Sequence, residues 1–237
     1  MIDFHTHLLP CVDDGSKSVE ESISLLKLLS AQGVDTAFAT PHFYAESDSP
    51  AAFFERRARA MEELTRATAG MPSLPQLRLG AEVAYYTGLS SSATLLDMRL
   101  EGTELLLLEM PMNKWSAYTV KELTDLAYTS GIKVLLAHVE RYLPYVTPRT
   151  LQSLRSHGIL MQANASSFLG VWHGRASLRL LQEGNVRLVA SDCHGLHHRP
   201  PVLDRACRAI EKKLGASVLS RMDALARSLL SDKTRAQ

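Results

Sequence analysis

The 237-residue sequence has only three cysteines, Cys11, Cys193 and Cys207, and no two of them form a Cys-x-x-Cys pair. That excludes a disulfide framework and fits a reducing compartment. Neither sign of charge is in excess: Lys and Arg total 26 against 25 Asp and Glu, for a formal net charge of +1. No global basic field argues for nucleic acid, and no acidic tail argues for a solvating segment. Long apolar runs are missing, and stretches such as Leu105 to Leu108 fall far short of the ~20 residues a membrane span needs. The opening Met1-Ile2-Asp3-Phe4-His5 has neither the basic nor the apolar region of a signal peptide. A cytoplasmic protein without membrane insertion is therefore expected. No Gly-x-Gly-x-x-Gly follows the first strand and no Walker A sequence occurs, which argues against a dinucleotide or P-loop site.

What is present is globular: 46% hydrophobic and 22% charged residues exclude a disordered chain. The length suits one domain over 1–237, with 231–237 expected to fray. Short apolar runs alternate with amphipathic stretches that end in glycine. The spacing predicts strands over 2–7, 34–40, 77–83, 105–109, 133–138, 159–163 and 187–191. Helices are expected over 18–32, 50–68, 117–130, 148–157, 176–183, 202–214 and 217–230. In the first of these helices Ser18 and Glu21 fit a capping box and Gly33 a stop. A homo-oligomer contact and a helix covering a barrel read identically there. About seven strands alternating with helices predict an α/β fold with a parallel sheet.

The positions of the metal-type residues are the informative feature. His5 and His7 end the first expected strand, His42 follows the second, Glu82 closes the third and Glu109 the fourth. His138 ends the fifth, and Asp192 and His194 follow the last. In a closed parallel barrel those ends share one face, where such barrels place their active sites. Singly, each fits a plain role, as a hydrogen-bonded strand-end histidine or a glutamate near the next helix start. Jointly, they would repel or be poorly solvated without cations. Imidazole with carboxylate suits Mn, Fe or Zn, and a bridging carboxylate permits more than one ion. His5-x-His7 and Asp192-x-His194 have period two, so each pair leaves one strand face. Asp13-Asp14-Gly15 reads first as a turn, and Asp14 is a plausible ligand with weak support from the sequence alone.

Met1-Ile2-Asp3-Phe4-His5-Thr6-His7-Leu8-Leu9-Pro10, followed by Asp13-Asp14-Gly15, closely resembles the PHP (polymerase and histidinol phosphatase) superfamily. Ala39-Thr40-Pro41-His42, Glu82, Leu108-Glu109, Ala137-His138-x-Glu140-Arg141 and Ala190-Ser191-Asp192-x-His194 match its pattern in order. Within it, the chain looks like the bacterial metal-dependent protein-tyrosine phosphatases encoded with capsule and exopolysaccharide genes. The resemblance implies a distorted seven-stranded (β/α) barrel of TIM-like type holding three divalent metals, manganese foremost, with iron or zinc as alternatives. It puts His5, His7 and Asp192 on one metal, and Glu82 bridging to a second held by Glu109 and His138. Asp14, His42 and His194 would hold the third. Arg141 and Arg199 match positions that grip the substrate phosphate, a task that suits fork-shaped guanidinium donors. A water bridging the metals would attack phosphorus, and the partner implied is the phosphotyrosine-rich tail of a tyrosine autokinase. Val139 and Tyr142 stand where the family often has Pro and Asn.

Other readings compete. Cys193 and Arg199 have the bare Cys-x5-Arg spacing of a thiolate phosphatase. Against it, Asp192 beside the thiol would raise its pKa, and the intervening loop is bulky where backbone amides must reach a phosphate. An amidohydrolase or TatD-like nuclease shares His-x-His, but amidohydrolases commonly bridge metals with a strand-end Lys, where Glu82 and Glu109 stand here. The neutral charge also speaks against a nuclease. Histidinol-phosphate phosphatase would use the same metal cradle. Trp172, Tyr142 and Phe43 suit an imidazole or a phenyl ring, or ordinary packing. A degenerate, non-catalytic barrel is opposed by the complete ligand set. Asn164 reads either as a support for the site or as a turn residue, His197-His198 as a solvated pair, and His157 as a helix-end cation.

Overall fold

The computed structural model describes residues 1–129 and 131–231, with the backbone alone at 171–173 and 231. Its strands are β1 (Ile2–Thr6), β2 (Thr36–Ala39), β3 (His42–Phe43), β4 (Gln76–Leu79), β5 (Glu82–Ala84), β6 (Leu105–Glu109), β7 (Lys133–Leu136), β8 (Leu160–Asn164) and β9 (Leu188–Ala190). The helices are α1 (Val19–Ala31), α2 (Pro50–Thr68), α3 (Leu95–Met98), α4 (Ala117–Ala127), α5 (Pro148–Ser156), α6 (Val171–Gln182), α7 (Leu203–Leu214) and α8 (Ala216–Ser231). Every strand pair is parallel, in the orders β1-β2-β4 and β3-β5-β6-β7-β8-β9.

Where seven continuous strands are expected, the described chain forms these shorter segments. Thr40-Pro41 separates β2 from β3, and Gly80-Ala81 separates β4 from β5. Pro41 has no N–H for a ladder. At Gly80 a Cβ would lie 2.4 Å from Leu100 Cδ2, so the chain there passes too close for a side chain. Backbone bonding nevertheless crosses both breaks, with Gly80 N–H donating to Ala39 O and Glu82 N–H to Pro41 O. Beyond β9, Asp192 N–H donates to His5 O and His7 N–H to Cys193 O, each at 2.9 Å. The parallel sheet thus curls until the chain after β9 bonds back to β1.

Side-chain alternation divides the structure into layers. On β6, Leu105 and Leu107 join an inner cluster with Ile2, Phe4, Phe38, Leu135 and Leu188, while Leu106 and Leu108 face the outer helices. Ala226 and Leu229 of α8 complete the inner cluster and plug the N-terminal end. Arg227 of α8 reaches Asp35, just before β2, at 2.8 Å. Ser18, Ser49, Ser116 and Thr147 each accept the backbone N–H three residues on, starting α1, α2, α4 and α5. Climbing the interior, hydrocarbon gives way to polar groups: Leu107 to Glu109 on β6, Leu160 to Gln162 to Asn164 on β8, Ala190 to Asp192 after β9. On β1 the switch needs a bulge. Asp3 pairs with Ala37 but Thr6 with Ala39, so β1 carries one extra residue. That slip lets Ile2 and Phe4 face the lower interior while His5 and His7, of opposite parity, face it higher up.

Helix α6 begins at Val171, ahead of the expected 176, so Trp172 and His173 lie in a helical first turn. Inside that helix a Cβ on Gly174 would sit 2.9 Å from Phe168 O, so its bareness permits close packing. Helix α8 reaches Ser231, and the rest of the expected frayed tail lies outside the described residues. Among those residues no helix is long and apolar enough to cross a membrane.

Leu107→Ala, at a wholly buried inner-layer position, is expected to lower unfolding free energy by about 2–5 kcal/mol in denaturant titration. Leu28→Ala, 40% exposed on α1, should stay within about 0.5 kcal/mol. Equal losses at both sites would contradict this layering.

Candidate metal centre

The strand ends bring His5, His7, His42, Glu82, Glu109, His138, Asp192 and His194 to one end of the interior, and the loop after β1 adds Asp14. The loop is seated by Gly15, whose Cβ would lie 2.0 Å from His7 O. Asp13 anchors it, accepting from His7 Nδ1 at 2.7 Å, Gly15 N–H at 2.9 Å and His42 N–H at 3.0 Å. Burial pushes the Asp13 carboxyl up, but these bonds and the His7 charge outweigh it and hold it well below the usual carboxylate range. Three left-handed, non-glycine positions aim the rest: His138 (φ 31°), Asp192 (φ 51°) and Arg199 (φ 57°). Each such position costs about 1–3 kcal/mol, which the surrounding fold must offset.

Hydrogen-bond direction decides what this cluster needs. Ionised Asp13 can only accept, so His7 carries a proton on Nδ1. In the neutral ring His7 Nε2 is then a lone pair, yet it faces His5 Nε2 at 3.0 Å, Glu82 Oε2 at 3.2 Å and Asp192 Oδ1 at 3.5 Å. Among the described residues, Glu82 Oε2 and Asp192 Oδ1 are buried without a hydrogen-bond partner. Acceptors facing acceptors at such burial call for a cation between them. The donor set suits divalent ions. Ligand atoms gather in three groups: His5, His7 and Asp192; His7, Asp14, His42 and His194; and His42, Glu82 and Glu109. His138 Nε2 adds contacts of 2.9 Å to Glu82 and 3.3 Å to Glu109. His42 thus also stands beside the pair Glu82 and Glu109, not solely with Asp14 and His194.

Without metal, protons fill the cation role. Burial opposes charging of His7, but Asp13, Asp192 and Glu82 outweigh it and raise its pKa well above the ordinary value. His138 is likewise raised to about 9, burial being overcome by Glu109 and Glu82. Burial also works against ionised Glu82 and Asp192, yet the histidines hold both well below the carboxylate range. His194 goes the other way, to about 4, through burial and the His7 charge.

Arg141 and Arg199 meet on the far oxygen of Asp192. Arg141 Nη2 donates to Asp192 Oδ2 at 3.0 Å, and Arg199 Nη2 donates to the same oxygen. Arg199 also lies 2.9 Å from His194 Nε2. Both guanidiniums are part-exposed, at 36% and 30%, so they rim the site while Asp192 holds them side by side.

Some supports have no spacing signature. Asp13 reads as a turn residue but orients His7. Gln162 meets His5 Nδ1 at 3.1 Å, and Asn164 donates to Asp192. Tyr142 and Phe43 are core residues, wholly and 98% buried by their exposures of 0% and 2%, so neither offers a ring to substrate. His157 ends α5 with Nδ1 at 2.8 Å from Ser153 O, and His197 and His198 are exposed. Cys193 is completely buried and burial pushes its thiol up to about 12, which removes the thiolate reading.

The capsular polysaccharide synthesis family CpsB/CapC matches residues 1–226. The chain belongs to the CpsB/CapC family. It is 28% identical over 241 residues to tyrosine-protein phosphatase YwqE of Bacillus subtilis, covering 99% of this chain and 93% of that one. It is 30% identical over 228 residues to tyrosine-protein phosphatase CpsB of Streptococcus pneumoniae, covering 91% and 92%. Among solved structures, a match from the work on YwqE and CpsB, described as metal-dependent tyrosine phosphatases, has TM-score 0.84 and 27% identity, covering 98% of this chain and 95% of that one. A Listeria monocytogenes structure with TM-score 0.52 and 11% identity, covering 83% and 96%, shares the fold alone.

The raised histidines give the metal-free CpsB/CapC chain a signed pH dependence. A folded pKa above the unfolded one stabilises at low pH, so the His138 contribution is complete below 6.5 and lost as pH rises through about 9. The depressed Glu82 and Asp192 contribute above 4.5 and 3.8 and are lost on acidification. The melting temperature of the chelated protein should therefore fall from pH 6.5 to about 9, and added Mn²⁺ should remove that fall by replacing protons. A chelated protein that gains stability across that window would contradict the assignment.

Proposed function

We propose that this chain is a metal-dependent protein-tyrosine phosphatase. The observation that carries the reading is the cluster of buried, partnerless acceptors with two guanidiniums fixed at its rim. The named relatives support the same activity. His5, His7, Asp14, His42, Glu82, Glu109, His138, Asp192 and His194 are the residues that would hold three divalent ions, manganese foremost, with iron or zinc suited to the same donors. Bound there, such ions supply Lewis-acid charge and a water acidified enough to attack phosphorus near neutral pH.

The chain's own residues do the rest. Arg141 and Arg199 transfer donors from Asp192 Oδ2 to the equatorial phosphate oxygens, and because they are already side by side little reorganisation is needed. A tyrosine phenolate leaves with a pKa of about 10, so the demand for a general acid is modest. His194, assigned here to a metal, is not needed as a proton donor. Tyr44 is 46% exposed and stacks on His42 at 5.2 Å with a 25° tilt. It walls a cleft of about 540 Å³ that includes Asp14 and His42, and it presents an aromatic face beside the site. The substrate we assign is the phosphotyrosine-rich tail of a cytoplasmic tyrosine autokinase controlling capsule or exopolysaccharide synthesis, with the whole chain acting as one catalytic domain.

Hydrolysis of a phosphotyrosine peptide should vanish on chelation, return with Mn²⁺ and survive Cys193→Ser. Arg141→Ala and Arg199→Ala should each lower kcat/KM by ~10²–10³, with the metal content unchanged. Activity that ignores chelation, or hydrolysis of histidinol phosphate in preference to the peptide, would overturn the reading.

A further inference from the structure

Two buried amides face the same interior. Gln162 and Asn164 stand two residues apart on β8, with exposures of 0% and 4%. Amides are costly to bury unless each polar atom has work to do.

Their bonds form a line from Asp192 to His5. Asn164 Nδ2 donates to Asp192 Oδ2 at 2.5 Å, and Gln162 Nε2 donates to Asn164 Oδ1 at 2.9 Å. Gln162 Oε1 lies 3.1 Å from His5 Nδ1. One end sets the direction of the whole line. Asp192 Oδ2 receives Arg141 and Arg199, and guanidinium nitrogens can only donate, so this oxygen is an acceptor. Asn164 must then turn its NH₂ to Asp192 and its carbonyl to Gln162. Gln162 must turn its NH₂ to Asn164 and its carbonyl to His5. His5 is left to carry its proton on Nδ1. Its Nε2 is a bare lone pair, 3.1 Å from Glu82 Oε2 and 3.4 Å from Asp192 Oδ1.

We infer that Gln162 and Asn164 are positioning residues, a one-way amide relay that sets the tautomer of His5 so that Nε2 is presented bare to a divalent cation. The use of the relay rests on the metal reading above; its geometry does not. Deprived of the Gln162 carbonyl, a neutral His5 would place its proton on Nε2, toward Glu82 and Asp192, and a cation would have to displace it. His7 reaches the same tautomer through Asp13. At His5 a neutral amide does this without adding another negative charge to an interior that already holds Glu82 and Asp192. Asn164 is itself braced through its backbone, whose carbonyl oxygen accepts from Ser167 Oγ at 2.7 Å.

The test begins with the metal-free wild-type protein carrying ¹⁵N-histidine, at alkaline pH. Long-range ¹H–¹⁵N correlation reports which His5 nitrogen holds the proton, with His5→Gln supplying the assignment. Nδ1–H is expected, and Nε2–H would overturn the relay without recourse to any further variant. Gln162→Leu should move His5 toward Nε2–H and weaken Zn²⁺ binding by ~10–100-fold in calorimetry. Gln162→Glu, which keeps an acceptor at Nδ1, should retain the wild-type tautomer. A Gln162→Leu protein that keeps Nδ1–H, or that changes tautomer with undiminished Zn²⁺ affinity, would overturn the role. If the wild type binds no Zn²⁺, the metal reading fails, and the wild-type tautomer still decides the relay.

Discussion

The structure depends on one electrostatic constraint: buried carboxylates and imidazole lone pairs point at each other with nothing of the chain's own to separate them. Among the described residues Glu82 Oε2 and Asp192 Oδ1 have no hydrogen-bond partner, and a neutral His7 cannot donate to them, because Asp13 holds the ring's one proton on the other side. A folded chain tolerates such an arrangement only with cations present, either protons or metal ions. Much of the rest of the fold serves to hold these groups in place. The bulge in β1 rotates His5 and His7 inward, the left-handed turns at His138 and Asp192 end two strands abruptly, and Gly15 lets the Asp13-Asp14 loop lie against the His7 backbone.

The apolar construction explains why this is affordable. Parallel strands bury both faces, so β6 is four leucines long before its glutamate, two of them inside and two outside. Helix α8 seals the hydrocarbon end of the interior. That leaves the opposite end free to be almost wholly polar.

Much of this was legible in the sequence because the ligand-type residues other than Asp14 stand at the ends of short apolar runs. His42, Glu82, Glu109 and His138 announce themselves in that way, and the structure brings them together with His5, His7, Asp192 and His194. Asp14, which had only a turn signal, joins them from its loop. The supports were less visible. Asn164 reads equally as a support or a turn residue, and nothing in a single sequence distinguishes Gln162 from a residue on a solvated edge. Asp13 shows the same turn signal as Asp14. The bulge at Asp3–Thr6 exists only relative to β2, and the breaks at Pro41 and Gly80 depend on neighbours distant in sequence. The ring-bearing residues Tyr142 and Phe43 went into the core, where a sequence pattern cannot separate packing from recognition.

The relation between the site and the activity of the CpsB/CapC relatives therefore turns on whether the acceptor cluster takes up metal in exchange for protons. Calorimetric titration of the metal-free protein with Mn²⁺, repeated in buffers of different ionisation enthalpy, measures both the ions bound and the protons released. The account predicts binding of more than one ion with release of protons, and a marked loss of both on Glu82→Gln. Failure to bind Mn²⁺, or binding that releases no protons and ignores Glu82, would contradict it.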